Sequence, residues 1–148
     1  TSPMNEKWNL RFLALAQHIS SWSRDPSTQC GAVIVRDDKR VVSMGFNGFP
    51  AGMPDDPALY EDRSEKYSRV LHAEVNALLF ADRELVKGAT LYTWPLACCD
   101  RCAVQAIQSG IRAFVFPKLP EELTDRWGAS VAKTKQFYNE VGATWLEI

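Results

Sequence analysis

The sequence predicts an α/β fold, a three-layer α-β-α arrangement around a central mixed five-stranded sheet. Two observations predict it. Apolar runs of strand length alternate with amphipathic segments in the order α, β, β, α, β, α, β, α, β, a pattern that favours one sheet with helices on both faces. No repeat, linker or break in composition divides the 148 residues, so one domain is expected over residues 4–148. Thr1-Ser2-Pro3, ahead of Met4, are expected to lie outside the fold.

Trp8, Phe12, Leu13, Leu15, Ala16 and Ile19 recur at helical spacing and predict a first helix that stops near Ser23-Arg24-Asp25-Pro26, because proline disfavours helix at the residue before it. Cys30 to Val35 reads as a buried strand. Asp37-Asp38-Lys39 is a turn, and Val41 to Phe46 is the second strand of a hairpin that ends at Asn47-Gly48. Phe49 to about Val70 carries Pro50, Gly52, Pro54 and Pro57 with poor periodicity and is read as a long loop, of the kind that is uncommon unless functional. Within it, Glu61 to Lys66 reads as a solvated charged stretch. Leu71 to Ala81 is an apolar-rich helix, and Ala89 to Trp94 is a strand introduced by Gly88. A further helix from about Asp100 to Ser109 is closed by Gly110. Ile111 to Phe116 is the next strand, Thr124 caps a helix running to about Val141, and Thr144 to Ile148 is a last short strand.

Composition narrows the function. Hydrophobic residues make up 46% of the chain and charged residues 24%, the proportions of a globular domain. The net charge of −1 leaves no global positive field to gather a nucleic acid polymer or an anionic membrane. No apolar run approaches the roughly 18 residues needed to span a bilayer, and no secretory leader pattern is read, so a cytoplasmic location is expected. Three of the four cysteines crowd into Cys98, Cys99 and Cys102, which suggests metal rather than a disulfide framework.

The chemistry concentrates in His72-Ala73-Glu74 and Cys99-Asp100-Arg101-Cys102. Two cysteines three apart at a helix N-terminus point their sulfurs the same way, and the free amides and helix dipole favour their thiolates. With His72 they make three protein ligands, leaving open the fourth position of a tetrahedral Zn2+, as catalytic zinc requires. Glu74 is then a proton carrier between water and substrate. An H-x-E with a downstream C-x-x-C is the pattern of zinc nucleobase deaminases, in which the glutamate is acid and base but no ligand. Hydrolytic deamination is the expected reaction. Cys30 reads as a small core residue, His18 as a packing or surface residue, and Trp94 either stacks on a base or belongs to the core.

With the intervening Gly88-Ala89-Thr90-Leu91-Tyr92, these motifs resemble the cytidine deaminase-like zinc superfamily. Within it, Ser23-Arg24-Asp25-Pro26-Ser27-Thr28, Gly31 to Val35, Gly45 to Gly52 and Gln105 to Ile111 resemble the deoxycytidylate (dCMP) deaminases, over roughly Trp8 to Phe116. The resemblance implies conversion of dCMP and water to dUMP and ammonia, feeding dTMP synthesis, by a homohexamer that dCTP activates and dTTP inhibits. It implies zinc on His72, Cys99 and Cys102, proton transfer by Glu74 and a hold on the pyrimidine carbonyl by the Ala73 amide. It also implies Asn47 on the sugar, Ser23 and Arg24 on the 5′-phosphate, and effector nucleotide, with Mg2+, at Gly48, Phe49, Pro50, Ala51 and Gly52. An arginine donates bidentately to phosphate oxygens, which makes the Arg24 role physically apt.

One position departs from that pattern. The family places proline directly before its first ligand cysteine, whereas Cys98 stands there. Counting forward from Leu91-Tyr92 selects Cys98 as the ligand, and counting back from Cys102 selects Cys99. Helix geometry fixes C-x-x-C more tightly than turn length does, so Cys99 is expected. Two other readings stay open: a deaminase acting on another small nucleobase compound, and a noncatalytic zinc-stabilised binding domain, against which Glu74 argues.

Overall fold

The computed structural model describes residues 5–148, so Thr1-Ser2-Pro3 and the expected start at Met4 lie outside the described residues. Five strands, β1 (Gly31–Val35), β2 (Val41–Phe46), β3 (Thr90–Trp94), β4 (Ala113–Phe116) and β5 (Thr144–Glu147), form one sheet in the order β2-β1-β3-β4-β5. β1 runs antiparallel to β2 and β3, and β3, β4 and β5 are parallel. The sheet is therefore mixed, as expected.

Strand alternation sorts the side chains into two cores. Val33, Val35, Tyr92 and Val115 meet Phe12, Ala16 and Ile19 of α1 (Glu6–Ser20) on one face. On the other, Ala32, Ile34, Leu91, Phe114 and Phe116 meet α4 (Ala73–Leu79), α6 (Asp100–Ser109) and α7 (Thr124–Glu140). Consecutive residues of one strand point to opposite faces, so strands apolar at every position must be covered on both sides. Three layers are the consequence.

The short α4 sits where it does because β2 lets it approach. A Cβ at Gly45 would collide with the Ala73 carbonyl oxygen, so only glycine permits this contact. The Ser43 hydroxyl donates to the Ala77 carbonyl at 2.7 Å and the Asn76 amide to the Phe46 carbonyl at 2.8 Å, which fixes the helix against the strand. α6 ends at Gly110 with φ +105°, the left-handed terminator its sequence predicts. α7 is tied to the start of α6 by Thr134, whose hydroxyl donates to the Cys98 carbonyl, and by Ser130, bonded to Asp100.

Between Phe49 and Val70 the structure corrects the expectation of an unbroken loop. It contains α2 (Pro57–Glu61) and α3 (Arg63–Arg69). Asp56 caps α2 ahead of Pro57 at its first turn, and Asp62 caps α3 by accepting from the Ser64 and Glu65 amides. Helices of five and seven residues are too short to show periodicity, and the cap residues are the signal that was there to read. α5 (Arg83–Val86), capped by Asp82, escapes periodicity for the same reason.

Candidate functional site

His72 is the N-cap of α4 and Cys99 the N-cap of α6, so both helices aim their N-termini at one place. Cys102, one turn into α6, donates its amide to the Cys99 sulfur at 3.4 Å. His72 Nδ1 lies 3.2 Å from Cys102 Sγ and 3.6 Å from Cys99 Sγ, and the three ligand atoms lie within 4.8 Å of one another. Zn–N and Zn–S bonds of about 2.05 and 2.3 Å at a tetrahedral angle set N···S near 3.6 Å. One imidazole and two thiols at these separations fit zinc. Cys98 stays out of the cluster: it is buried among apolar residues, with its carbonyl held by α7.

The electrostatics suit a cation. Hydrogen bonds from Cys102 and then His72 hold the Cys99 thiol down to about 4, while the proton shared with Cys99 and burial raise Cys102. Burial pushes the Glu74 carboxyl up from its usual range, and the neighbouring imidazole pulls it partly back. A carboxyl so placed holds a proton more strongly than one in water. His72 gives α4 no side-chain cap, so the Ala73 amide at the first turn has no partner in the helix ladder.

His72, Ala73, Glu74 and Cys99 line a cavity of about 390 Å3, together with Asn47, Cys30 and Trp94. That volume falls in the range of sites for small ligands, roughly 300–1,000 Å3. Asn47 is buried and heavily engaged: its Oδ1 accepts from the Cys30 amide at 2.8 Å, and its Nδ2 donates to the Thr28 carbonyl at 2.9 Å and to Asp25 at 3.3 Å. Trp94 lines the cavity and also packs against the α1-side core.

Other predicted residues lie elsewhere. Ser23 is buried, donates its hydroxyl to the Asn47 carbonyl at 2.8 Å, accepts from the Asp25 amide and does not line the cavity. Arg24 is also absent from the lining: its side chain is 72% exposed and pairs with Asp55 at 3.4 Å. Gly48 forms a β-bridge with Leu71, Phe49 stacks on Tyr60 with ring centroids 4.0 Å apart, and Pro50, Ala51 and Gly52 belong to a turn outside the cavity, with Gly52 at φ +94°. The segment joins the α2–α3 arm to β2. Sequence reasoning missed the cavity residues of α3 and α7, namely Arg63, Lys66 and Tyr67 on one side and Arg126, Trp127 and Ser130 on the other. The stretch read as solvated thus supplies part of the cavity wall.

Residues 6–118 match the cytidine and deoxycytidylate deaminase zinc-binding region. The chain belongs to that family. An uncharacterized deaminase from the luxG 3′ region of Aliivibrio fischeri is 41% identical over 147 residues, which are 98% of this chain and 97% of that protein. The deoxycytidylate deaminase of Homo sapiens is 33% identical over 144 residues, 94% of this chain and 78% of that protein. A solved dCMP deaminase from the cyanophage S-TIM5, in complex with dCMP and dUMP, shares the fold with a TM-score of 0.73 at 20% identity, covering 99% of this chain and all of that one. Zinc in the family's description and the His72, Cys99 and Cys102 cluster agree. No described helix of this deaminase-family chain is long and apolar enough to cross a membrane.

Proposed function

We propose that the chain is a zinc-dependent dCMP deaminase, hydrolysing dCMP to dUMP and ammonia. The observation that carries this reading is the buried Glu74 beside the His72, Cys99 and Cys102 cluster, at a cavity of nucleotide size, in a chain whose curated relatives include deoxycytidylate deaminases. Zinc held by the three ligands would supply a Lewis acid that lowers the pKa of water from about 15.7 to about 7.

The chain's own residues do the rest. The free Ala73 amide receives the pyrimidine carbonyl and orients the ring, with Trp94 at its side and Asn47 at the sugar. Glu74 takes one proton from the attacking water and gives it to ring N3. It then passes the second to the exocyclic amine, which leaves as ammonia when the C4–N bond breaks. N3–H and C4=O remain in the product, so both water protons and its oxygen are accounted for. Burial raises the proton affinity of Glu74, which suits a group that must accept and return a proton twice.

Further parts of the reading rest on the family resemblance alone. The enzyme assembles as a homohexamer, is activated by dCTP and inhibited by dTTP, and receives effectors at the exposed turn around Gly52, clear of the cavity. Four free cysteines among the described residues suit a reducing compartment, and the cytoplasm is the proposed location. The test is ammonia release by the zinc-loaded protein from dCMP, deoxycytidine and dCTP, each with and without the effectors. Turnover of dCMP that rises with dCTP and falls with dTTP is expected. Failure with dCMP at one zinc per chain would move the weight to another deaminase substrate.

A further inference from the structure

The cations near the cavity divide into those already neutralised and those not. Arg24 pairs with Asp55 outside the cavity, Lys66 is spent on Asp25, and Arg69 is paired with Glu65. Arg63 on α3 and Arg126 on α7 both line the cavity, and neither has a carboxylate within ion-pair distance among the described residues. Glu61 also lines the cavity but pairs with neither. Each guanidinium is steadied without being neutralised. One Arg63 nitrogen lies 3.4 Å from the Tyr67 hydroxyl, and the Arg126 guanidinium sits 5.0 Å from the Trp127 ring centroid. Arg126 lies beyond the residues matched to the family, so no motif announces it.

We propose that Arg63 and Arg126 together grip the 5′-phosphate of the substrate, and that Arg24 does not. The inference deepens the dCMP reading and rests on it. A phosphate monoester dianion needs donors that carry charge and are not already neutralised, and the guanidinium fork matches its oxygens bidentately. Two such forks entering one cavity from different helices make the site discriminate a nucleotide from a nucleoside. The same pair explains how a chain of net charge −1 concentrates an anionic substrate without a basic surface.

The test compares the zinc-loaded wild type with Arg63→Ala, Arg126→Ala and Arg24→Ala, measuring turnover of dCMP and of deoxycytidine and binding of dCMP by calorimetry. Losing one charged hydrogen-bonding group raises KM for dCMP about tenfold for Arg63→Ala and for Arg126→Ala. Turnover of deoxycytidine, which has no phosphate, falls far less in both, and that same activity shows that the variants are folded. Loss of dCMP affinity in Arg24→Ala, with none in the other two, would overturn the proposal, as would equal losses on dCMP and deoxycytidine. Tight binding of dCMP without turnover in the wild type would refute the substrate reading, while loss of that binding in the two variants would still support the grip. No dCMP binding by the wild type would refute both.

Discussion

The Lys66 ammonium lies 2.9 Å from the Asp25 carboxylate, joining the α2–α3 arm to the loop that carries the cavity floor. Asp25 is 3% exposed in its side chain and also accepts from the Ser27 amide at 2.8 Å and from Asn47 Nδ2 at 3.3 Å. Lys66 therefore acts on Asn47 through Asp25. An arm read from sequence as a solvated loop is clamped by a buried charge.

Removing that clamp leaves a carboxylate buried with amide partners alone. Breaking a buried pair from one side costs about 3–5 kcal/mol, and Lys66, still 22% exposed, places Lys66→Met near the lower figure. Urea unfolding at neutral pH is expected to show the loss, with a raised KM for dCMP as Asn47 loosens. Adding Asp25→Asn to Lys66→Met removes the orphaned charge and recovers part of the stability. A double variant no more stable than Lys66→Met alone would show that the pair does not hold the arm.

The two adjacent cysteines separate cleanly by metal analysis. Cys99 Sγ faces His72 Nδ1 at 3.6 Å, whereas Cys98 is 1% exposed inside the core against α7. Cys99→Ser is expected to lose bound zinc during dialysis against a weak chelator, and Cys98→Ser to keep one zinc per chain with a lower melting temperature. The reverse pattern would make Cys98 the ligand and require the turn after Trp94 to rearrange.

What was legible in the sequence was whatever carried a period or a fixed spacing. The five strands and the α1, α6 and α7 helices announced themselves by apolar recurrence, and His72, Glu74, Cys99 and Cys102 by spacing that only a shared centre explains. The α2–α3 arm left only its Asp56 and Asp62 caps to read, because its helices are too short for a period and are held by contacts outside themselves, Lys66 with Asp25 and Tyr60 with Phe49. The placement of Arg24 was illegible for a related reason. Its place in the motif is local information, but its partner Asp55 is 31 positions away, and pairing in three dimensions took it out of the cavity. Arg126 entered the cavity from α7 across a distance in sequence that no local pattern spans.

Glu74 tests the chemistry apart from the fold. Glu74→Gln keeps the shape of the side chain and removes its ability to accept a proton. Loss of a positioned general acid–base group lowers kcat by about 10²- to 10⁴-fold, with zinc content and dCMP binding preserved because Glu74 lies outside the His72, Cys99 and Cys102 cluster. Normal turnover by this variant would remove Glu74 from the mechanism.

Tyr138 gives the alkaline side of the stability curve. It is fully buried, stacks on Phe114 with ring centroids 3.7 Å apart, and its hydroxyl has no nitrogen or oxygen partner among the described residues. Burial, and after it the neighbouring Cys98, push the phenol well above its ordinary value of 10.0. Near neutrality the folded and unfolded states both keep the proton, so stability there does not depend on this group. Above about pH 10 the unfolded chain releases the proton and the folded chain retains it, and stability falls by about 1.4 kcal/mol per pH unit for this residue. Tyr138→Phe removes that dependence while preserving the stack. Urea unfolding from about pH 8 to about pH 11 is therefore expected to show the variant gaining on the wild type only above about pH 10. A constant difference across the range would mean that Tyr138 ionises in the folded protein as readily as in the unfolded chain, which its burial against Phe114 and Cys98 forbids.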